Sequence, residues 1–540
     1  MTVDHIRTGQ LGASTASRTT GTLMDQIAAG EPYAISFGGQ GSPWLPTLAE
    51  LVVDADLEYR ISKYIDAAER LIAPVADRLS IARPDGFHPL TWVRAHDAGD
   101  DVPTDTALAD ATLSVPGVLL AQLAAVDALA KQGLDTATIP PTSVVGHSQG
   151  ILATEVIAND GAGVGAGVVL ALAQLIGAAG AIVARRRGLA ATSDGTPMMA
   201  IGNAAPERID AIRNGRTAVI VAGAPRHLKA LRARCEQIAD GEVDQRKRKL
   251  TGGAPFAPKF DALVVSLAFH HPSMAEAVEM VAQWAEECGI DRAVAARLAA
   301  DVLVNHVDWV SIIDEVIAGG SRWILDLGPA DLATRLTSGL VRGQGIGLVP
   351  AALRVGQRNL FSPGGIPEIE ARWSQFDPLL VELPDGRTVV ETAFTRLTGR
   401  SPMLLAGMTP TTVDPAIVAA AANAGHWAEL AGGGQVTEEI FARNIATLTD
   451  LLEPGREAQF NALFLDPYLW KLQLGGKRIV QKARAQGAPL DGVIVSAGNP
   501  ETDEPVPLVD EFVGGGLPPF PAEPGPLRAD PPALPVGAPG

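Results

Sequence analysis

The sequence predicts an α/β protein built in two successive parts, and three observations carry that reading. Short apolar runs alternate with stretches of helical periodicity from residue 32 to about 351. One such run, Val144-Val145, enters Gly146-His147-Ser148-Gln149-Gly150 and is followed at once by the helical Ile151-Leu152-Ala153-Thr154-Glu155-Val156. A second strand–helix rhythm starts near residue 401, after a Pro- and Gly-rich break.

Composition bounds the answer. The chain has 540 residues, is 47% hydrophobic and 19% charged, and carries a net charge of −18. That length implies two to four domains. The acidic balance argues against nucleic acid or an anionic membrane as the main partner. Two cysteines, Cys235 and Cys288, form neither a disulfide framework nor a metal-spaced cluster, as in a cytoplasmic protein. The uncharged run from Gly161 to Ala184, with Arg185-Arg186-Arg187 after it, mimics a membrane span. Its Gly and Ala content favours a buried core helix instead.

In chain order, residues 1–30 read as a flexible arm without the apolar core of a signal peptide. Pro32–Phe37 reads as a strand ending in Gly38-Gly39-Gln40-Gly41-Ser42, and Leu45 to about Leu79 as helix. Pro84–Pro103 reads as irregular, with His88 and His96 as structural or surface histidines, and Pro116–Gln132 as a one-faced helix. An inserted subdomain occupies about 198–270: strand 198–201, helix 206–213, strand 218–222, helix 226–239, a basic loop holding Arg246-Lys247-Arg248-Lys249, and strand 260–269. That last strand ends at His270-His271-Pro272. Two helices (274–289 and 291–303) and strands at 323–327 and 346–351 complete the first part. Residues 359–400 read as linker, with short strands at 379–383 and 389–394. Residues 401–498 show strands at 403–406, 428–431, 458–465 and 492–496 with intervening helices, half the count of an eight-stranded β/α barrel. Residues 499–540, rich in Pro, Gly and Ala, read as a disordered or aberrant tail.

A serine between a strand and a helix, flanked by glycines that permit a sharp turn, is the setting of a nucleophile, and the following helix aims N–H groups at an oxyanion on it. Of nine histidines, His147 sits on the elbow and points away, whereas His270 and His271 end an ordered segment and are the candidate bases.

These residues carry a resemblance. Gly39-Gln40-Gly41-Ser42, Gly146-His147-Ser148-Gln149-Gly150 and Phe269-His270 before Pro272 resemble acyl-CoA:acyl-carrier-protein acyltransferases. Arg396–Pro402, Gly407-Met408-Thr409-Pro410 and Asn423–Gly434 are similar to the enoyl-reductase start of microbial type I fatty acid synthases, in the bacterial single-chain form. The resemblance implies an acyltransferase fold over 31–358, with an α/β-hydrolase-like core and a small ferredoxin-like inserted subdomain, followed by a partial TIM-type barrel. It implies Ser148 as nucleophile, His270 as base, the N–H groups of Gln40 and Gln149 as oxyanion donors, and the Asn305 carbonyl as the group orienting the histidine. Ile176 aligns where malonyl-selective relatives carry arginine, which implies acetyl loading; Arg185 is the competing alignment. The implied partners are acetyl-CoA or malonyl-CoA, an acyl carrier protein and other synthase domains. Gly407, Met408, Thr409 and Asn461 align with flavin-lining positions. From half a barrel the expectation is an inactive reductase part that does not hold FMN, with no cofactor needed for acyl transfer and no metal site. The alternatives are a malonyl or palmitoyl transferase of the same machine, an α/β-hydrolase esterase, or an inactive synthase fragment.

Overall fold

Tyr33–Phe37 is buried at all five positions, because it is the interior strand of a sheet covered on both faces. The computed structural model describes residues 21–158, 165–203, 212–215, 218–241, 258–384 and 386–496. The chain divides into two compact units, residues 1–375 and 376–540.

Among the described residues the first unit has eight strands: β1 (Tyr33–Phe37), β2 (Ser143–Gly146), β3 (Met198–Gly202), β4 (Ile212–Gly215), β5 (Ala218–Ala222), β6 (Lys259–Ala262), β7 (Trp323–Asp326) and β8 (Gly347–Val349). β2-β1-β7-β8 form one sheet with every pairing parallel. β4-β5-β3-β6 form a separate antiparallel sheet, with helix Pro225–Gly241 between β5 and β6. That order is the one a split β-α-β inserted module takes. The first crossover of this module, residues 204–211, and the basic loop at 246–249 lie outside the described residues.

Two long helices, Ala111–Lys131 and Ala166–Arg187, are long and apolar enough to cross a membrane, yet 89% and 83% of their most apolar windows are buried inside the protein. They are core helices, as expected for the second of them. The first begins five residues before its expected start at Pro116. Asp110 caps it by accepting from Thr112 N. A proline at 116 cannot donate to the Thr112 carbonyl four residues back. Arg83 Nη1 donates to that carbonyl instead, at 3.1 Å, so the proline is tolerated within the helix.

Other expectations need correction. Residues 22–30 are not a loose arm: helix Leu23–Ala28 has a capping box on Thr22 and buries Leu23 and Ile27. The helix expected from 45 to 79 is broken, because Asp54 caps a new helix, Ala55–Ile72, and Pro74 interrupts it again. The irregular stretch 84–103 contains helix Pro89–Ala98, started by a proline at its first position and stopped by Gly99 in the left-handed region (φ 74°). Ile212 and Arg213, read as helix, belong to β4, paired with β5. The strand expected over 260–269 ends at Ala262: Ala268 and Phe269 are buried in the core and Leu267 makes only an isolated bridge to Ala190.

In the second unit β9 (Leu379–Glu382) and β10 (Thr388–Glu391) form an antiparallel pair. β11 (Leu404–Leu405), β12 (Trp427–Ala431), β13 (Ala458–Leu463) and β14 (Leu490–Ser496) form a four-stranded sheet in chain order, all parallel. Helices Pro415–Asn423 and Glu438–Leu451 fill the first two crossovers. The third, expected as one helix over 470–486, is interrupted after Gly475 and resumes at Ile479. Residues 497–540, including the tail, lie outside the described residues.

Candidate active site

The site starts from three glycines that have no room for a side chain. A Cβ at Gly146 would lie 2.3 Å from the Gly150 carbonyl carbon, and one at Gly150 would lie 2.5 Å from the Phe37 carbonyl oxygen. A Cβ at Gly39 would lie 2.8 Å from the His147 oxygen and 3.1 Å from Ser148 Cβ. The elbow is thereby folded tightly on itself and against the end of β1, and the Gly39-Gln40 loop touches it. Ser148 sits at φ 55°, where non-glycine residues are rare. It opens a short 3-10 turn, Ser148–Gly150, which runs into helix Ile151–Ala158.

His270 approaches from the segment after β6 and is itself at φ 58°. The turn carrying it is anchored by Ala268 N to Leu189 O (2.9 Å), His271 N to Leu303 O (3.0 Å) and the buried Phe269 ring. Ser148 Oγ lies 2.6 Å from His270 Nε2, and His270 Nδ1 lies 2.6 Å from the Asn305 carbonyl. A carbonyl can only accept, so Nδ1 carries the hydrogen and Nε2 is left to accept from the serine. Asn305 is held in turn: its N–H donates to Ala300 O (2.7 Å) and its Nδ2 to Asp301 Oδ1 (2.7 Å). Packing around the ring pushes the His270 pKa down to about 4, burial being the main cause, with the Asn305 bond opposing it and His147 and His306 adding to it. His270 is therefore a neutral imidazole at physiological pH.

The two glutamines are joined. Gln40 Nε2 donates to Gln149 Oε1, and Gln149 Nε2 donates to Val115 O. Their backbones thus flank Ser148 from two chain segments that are tied together. His147 faces away from this pair: it is buried and meets the Trp309 ring edge-on, 5.3 Å between centroids. Ile176 is fully buried in the core. The glycine after it packs so tightly that a Cβ there would lie 2.4 Å from Ala111 O. Ile176 lines neither of the two cavities described next. Arg185 bonds to the Ala181 and Ala82 carbonyls.

A cleft of about 800 Å³ opens on the His270 side, lined by His270, His271, Arg187, Arg226, His227 and His306 among others. A smaller alcove of about 270 Å³ opens on the Gln40 side. Gln122 is a site residue that the sequence reading does not single out. Fully buried, it donates through Nε2 to both Gly38 O (2.7 Å) and Gly328 O (2.9 Å), while Gly38 N also donates to Gly328 O (3.1 Å). Asp326 holds the other end of that loop, accepting from Gly328 N and Thr334 N; burial pushes its pKa up to about 6. A signal for Gln122 is present in the sequence: a lone amide in the apolar run Leu119-Leu120-Ala121-Gln122-Leu123.

In the second unit, Gly407 and Asn461 are brought together at the strand ends. A Cβ at Gly407 would lie 2.4 Å from Asn461 Cβ. Glu429 Oε2 accepts from Gly407 N (2.8 Å) and Asn461 Nδ2 (2.7 Å), Ser496 Oγ donates to Asn461 Oδ1 (2.6 Å), and Met408 N donates to Thr412 Oγ1 (2.6 Å). Thr409 lies beside Gly433, whose added Cβ would lie 2.3 Å from Thr409 Oγ1. Among the described residues no group of three or more His, Cys, Asp or Glu is placed to hold a metal.

Comparison with known proteins adds the following. Residues 210–262, within the antiparallel module, match the family model described as the fatty acid synthase central AT domain. Over its length the chain is similar to fatty acid synthase beta subunits. The beta subunit hexB of Dothistroma septosporum is 24% identical, over 96% of this chain and 30% of the relative. The beta subunit pigK of Monascus ruber is 27% identical, over 59% of this chain and 17% of the relative. The chain thus spans less than a third of the length of these relatives. Among solved structures, MCAT from Mycobacterium tuberculosis overlaps 58% of this chain and 95% of its own at 20% identity and a TM-score of 0.40.

Proposed function

We propose that the first unit is an acyltransferase of fatty acid synthesis, moving an acyl group from coenzyme A to the thiol of an acyl carrier protein through an acyl-Ser148 ester. The observation that carries the reading is the relay Ser148 Oγ–His270 Nε2–Nδ1–Asn305 O, both links 2.6 Å. His270 Nε2 takes the serine proton as Oγ attacks the thioester carbonyl. The negative charge that develops on the carbonyl oxygen falls to the N–H groups of Gln40 and Gln149. Collapse breaks the C–S bond, and the proton on Nε2 passes to the departing thiolate. In the second half the carrier thiol gives its proton to His270, attacks the ester, and Ser148 recovers the proton. The Asn305 carbonyl holds the ring in the required tautomer without a buried carboxylate. Similarity to the synthase beta subunits supports CoA thioesters and a carrier protein as the partners.

Within that class, acetyl loading is the substrate reading; what supports it is the resemblance that aligns the apolar Ile176 with a carboxylate-pairing arginine, although Ile176 itself is packed in the core. The succession of a hydrolase-like unit and a parallel β/α unit supports a place in a multidomain synthase of the single-chain type, the second unit being the start of a β/α barrel. We infer that this second unit does not hold FMN. Gly407 N–H is already given to Glu429 and Met408 N–H to Thr412, so neither backbone group is free to receive a phosphate, and Asn461 is tied by one N–H to Glu429 and by its Oδ1 to Ser496.

The test is to incubate the purified chain with labelled acetyl-CoA and malonyl-CoA, follow the label on Ser148 by peptide mass, and add carrier protein. Acetyl labelling that is discharged to the carrier is expected. Rapid loss of label to water with none on the carrier would make the protein an esterase, and preferential malonyl labelling would overturn the acetyl reading. Stoichiometric flavin absorbance in the purified protein would refute the FMN inference.

A further inference from the structure

The Asn305 carbonyl that orients His270 is held by a chain of side chains that runs back to the elbow. Arg297, Asp301 and Asn305 follow one another at one-turn spacing along helix Arg292–Leu303 and the residues just past its end. Asn305 Nδ2 donates to Asp301 Oδ1 (2.7 Å), and Arg297 Nη1 stands 4.0 Å from Asp301 Oδ2. The other amino group of Arg297, Nη2, forms an ion pair with Glu155 Oε1 at 2.9 Å. Glu155 lies on helix Ile151–Ala158, about two turns beyond Ser148. The links therefore close on themselves. They run from Ser148 along its helix to Glu155, across to Arg297, on to Asp301 and Asn305, and back through His270 to Ser148 Oγ.

Stability is not what this ring supplies. The Arg297 side chain is 48% exposed, and ion pairs at that exposure gain little over water. What it supplies is register. Ser148 and His270 come from distant parts of the chain, yet proton transfer needs their heavy atoms within hydrogen-bond reach. Two carboxylates on separate helices each face one amino group of the same planar guanidinium, so its fixed fork sets the spacing of the helices at this point. We propose that Arg297 is a positioning residue for acyl transfer. By bridging Glu155 and Asp301 it sets the Asn305 carbonyl, and through it the His270 ring, against the serine turn.

This inference rests on the acyltransferase reading, and the experiment separates the two. Transfer to carrier protein is measured on the full chain from acetyl-CoA or malonyl-CoA, whichever labels the parent. The variants are Arg297→Met, Arg297→Lys, Glu155→Gln, the double variant Glu155→Gln with Arg297→Met, and Arg292→Met. Arg292 opens the same helix but pairs with Glu279 and Glu286, so its variant removes the same charge from the helix without touching the ring. Arg297→Met is expected to lower kcat about tenfold, with KM within about twofold of the parent. Arg297→Lys should recover part of that loss, the double variant should be no slower than Arg297→Met, and Arg292→Met should run at the parent rate. The nitrogen-15 spectrum of the histidine rings is a second readout, with the His270 signal assigned by its loss in His270→Ala. It should report the Nδ1–H tautomer in the parent and an admixture of Nε2–H in Arg297→Met. Parent kcat in Arg297→Met, a tautomer unchanged from the parent, or an equal loss in Arg292→Met would overturn the positioning role. No acylation of the parent chain by either thioester would instead overturn the acyltransferase reading itself.

Discussion

Two parallel sheets in this chain end in polar clusters, and only the first pairs a hydroxyl with an imidazole. At the end of β2 and β1, Ser148 and His270 both sit at positive φ and point at each other across 2.6 Å. At the ends of β12 to β14, Glu429, Asn461 and Ser496 consume one another's hydrogen bonds, with Gly407 closing the set. Both clusters are built on glycines too crowded for a Cβ. The difference is what the backbone leaves over. In the first, the strained serine turn aims a hydroxyl at a neutral imidazole whose other nitrogen is already satisfied. In the second, the Glu429 carboxylate accepts from Gly407 and Asn461, and Asn461 accepts in turn from Ser496. Close packing of a strand end is thus common to both sheets, and it becomes chemistry only where one donor and one acceptor are held apart from the rest.

The sharpest way to break the comparison is to remove the pair that distinguishes the first cluster. Ser148→Ala is expected to abolish acyl labelling, and His270→Ala to lower the labelling rate by about 10³-fold or more, with melting temperature little changed for either. Retained labelling in Ser148→Ala would mean that another nucleophile carries the ester.

Gly39→Ala comes next. Its methyl would press on the His147 oxygen and Ser148 Cβ, displacing the Gln40 N–H from the oxyanion. Losing one such donor costs about 10²–10³ in kcat. A smaller effect, of about tenfold to a hundredfold, is expected from Gln122→Met, which frees the Gly38 and Gly328 carbonyls while keeping the side-chain volume. Because Gln122 touches no substrate, kcat should fall with KM nearly unchanged, and Gln122→Glu should not restore it, since a carboxylate cannot donate to two carbonyls. A rise in KM alone would refute the positioning role.

How much of this is legible in the sequence follows from which interactions are local. The elbow is readable because strand, glycine spacing and helix are contiguous in Val144–Ile151. Ser148–His270 is readable only through the resemblance, since 122 residues separate the two and β6 stops at Ala262, well short of the expected strand end. The apolar run Leu263–Phe269 has the composition of a strand, yet Ala268 and Phe269 go into the core instead of a ladder. Helix Pro89–Ala98 escapes the sequence reading although its first-position proline and its Gly99 stop are both visible there. Of the Gln122 clamp the sequence shows only a lone amide in an apolar run; its partners are not legible there, being backbone carbonyls 84 and 206 residues away. Ile176, singled out by the resemblance, lies in the core on helix Ala166–Arg187 and lines neither cavity, a placement that the sequence position alone does not reveal.

A pH series sharpens the first cluster further. An ordinary imidazole titrates near pH 6.5. Burial pushes the His270 pKa down to about 4, so the ring stays neutral as the pH falls. The labelling rate is therefore expected to stay close to its plateau down to about pH 5.5, with the acidic limb nearer 4. The stability sign is opposite to that of a paired histidine. Between about pH 6.5 and 4 the unfolded chain takes up a proton that the folded one refuses, so His270 subtracts stability progressively as pH drops through that window. A limb centred at about 6.5 would show that the ring is solvated in solution.

The smallest effect on transfer is expected from the other sheet, and it tests whether the contrast is real. Asn461→Ala removes one of the two donors to Glu429 Oε2 and one of the two acceptors near Ser496 Oγ, the Ala462 carbonyl remaining. Leaving a buried carboxylate short of a partner costs about 1–3 kcal/mol when nothing relaxes to replace it. The second unit should therefore unfold earlier in urea, while Ser148 labelling stays at the parent rate. If labelling fell in step with that loss, the two clusters would be parts of one cooperative structure, and the self-satisfied network of the second sheet would be a support for the reactive pair in the first.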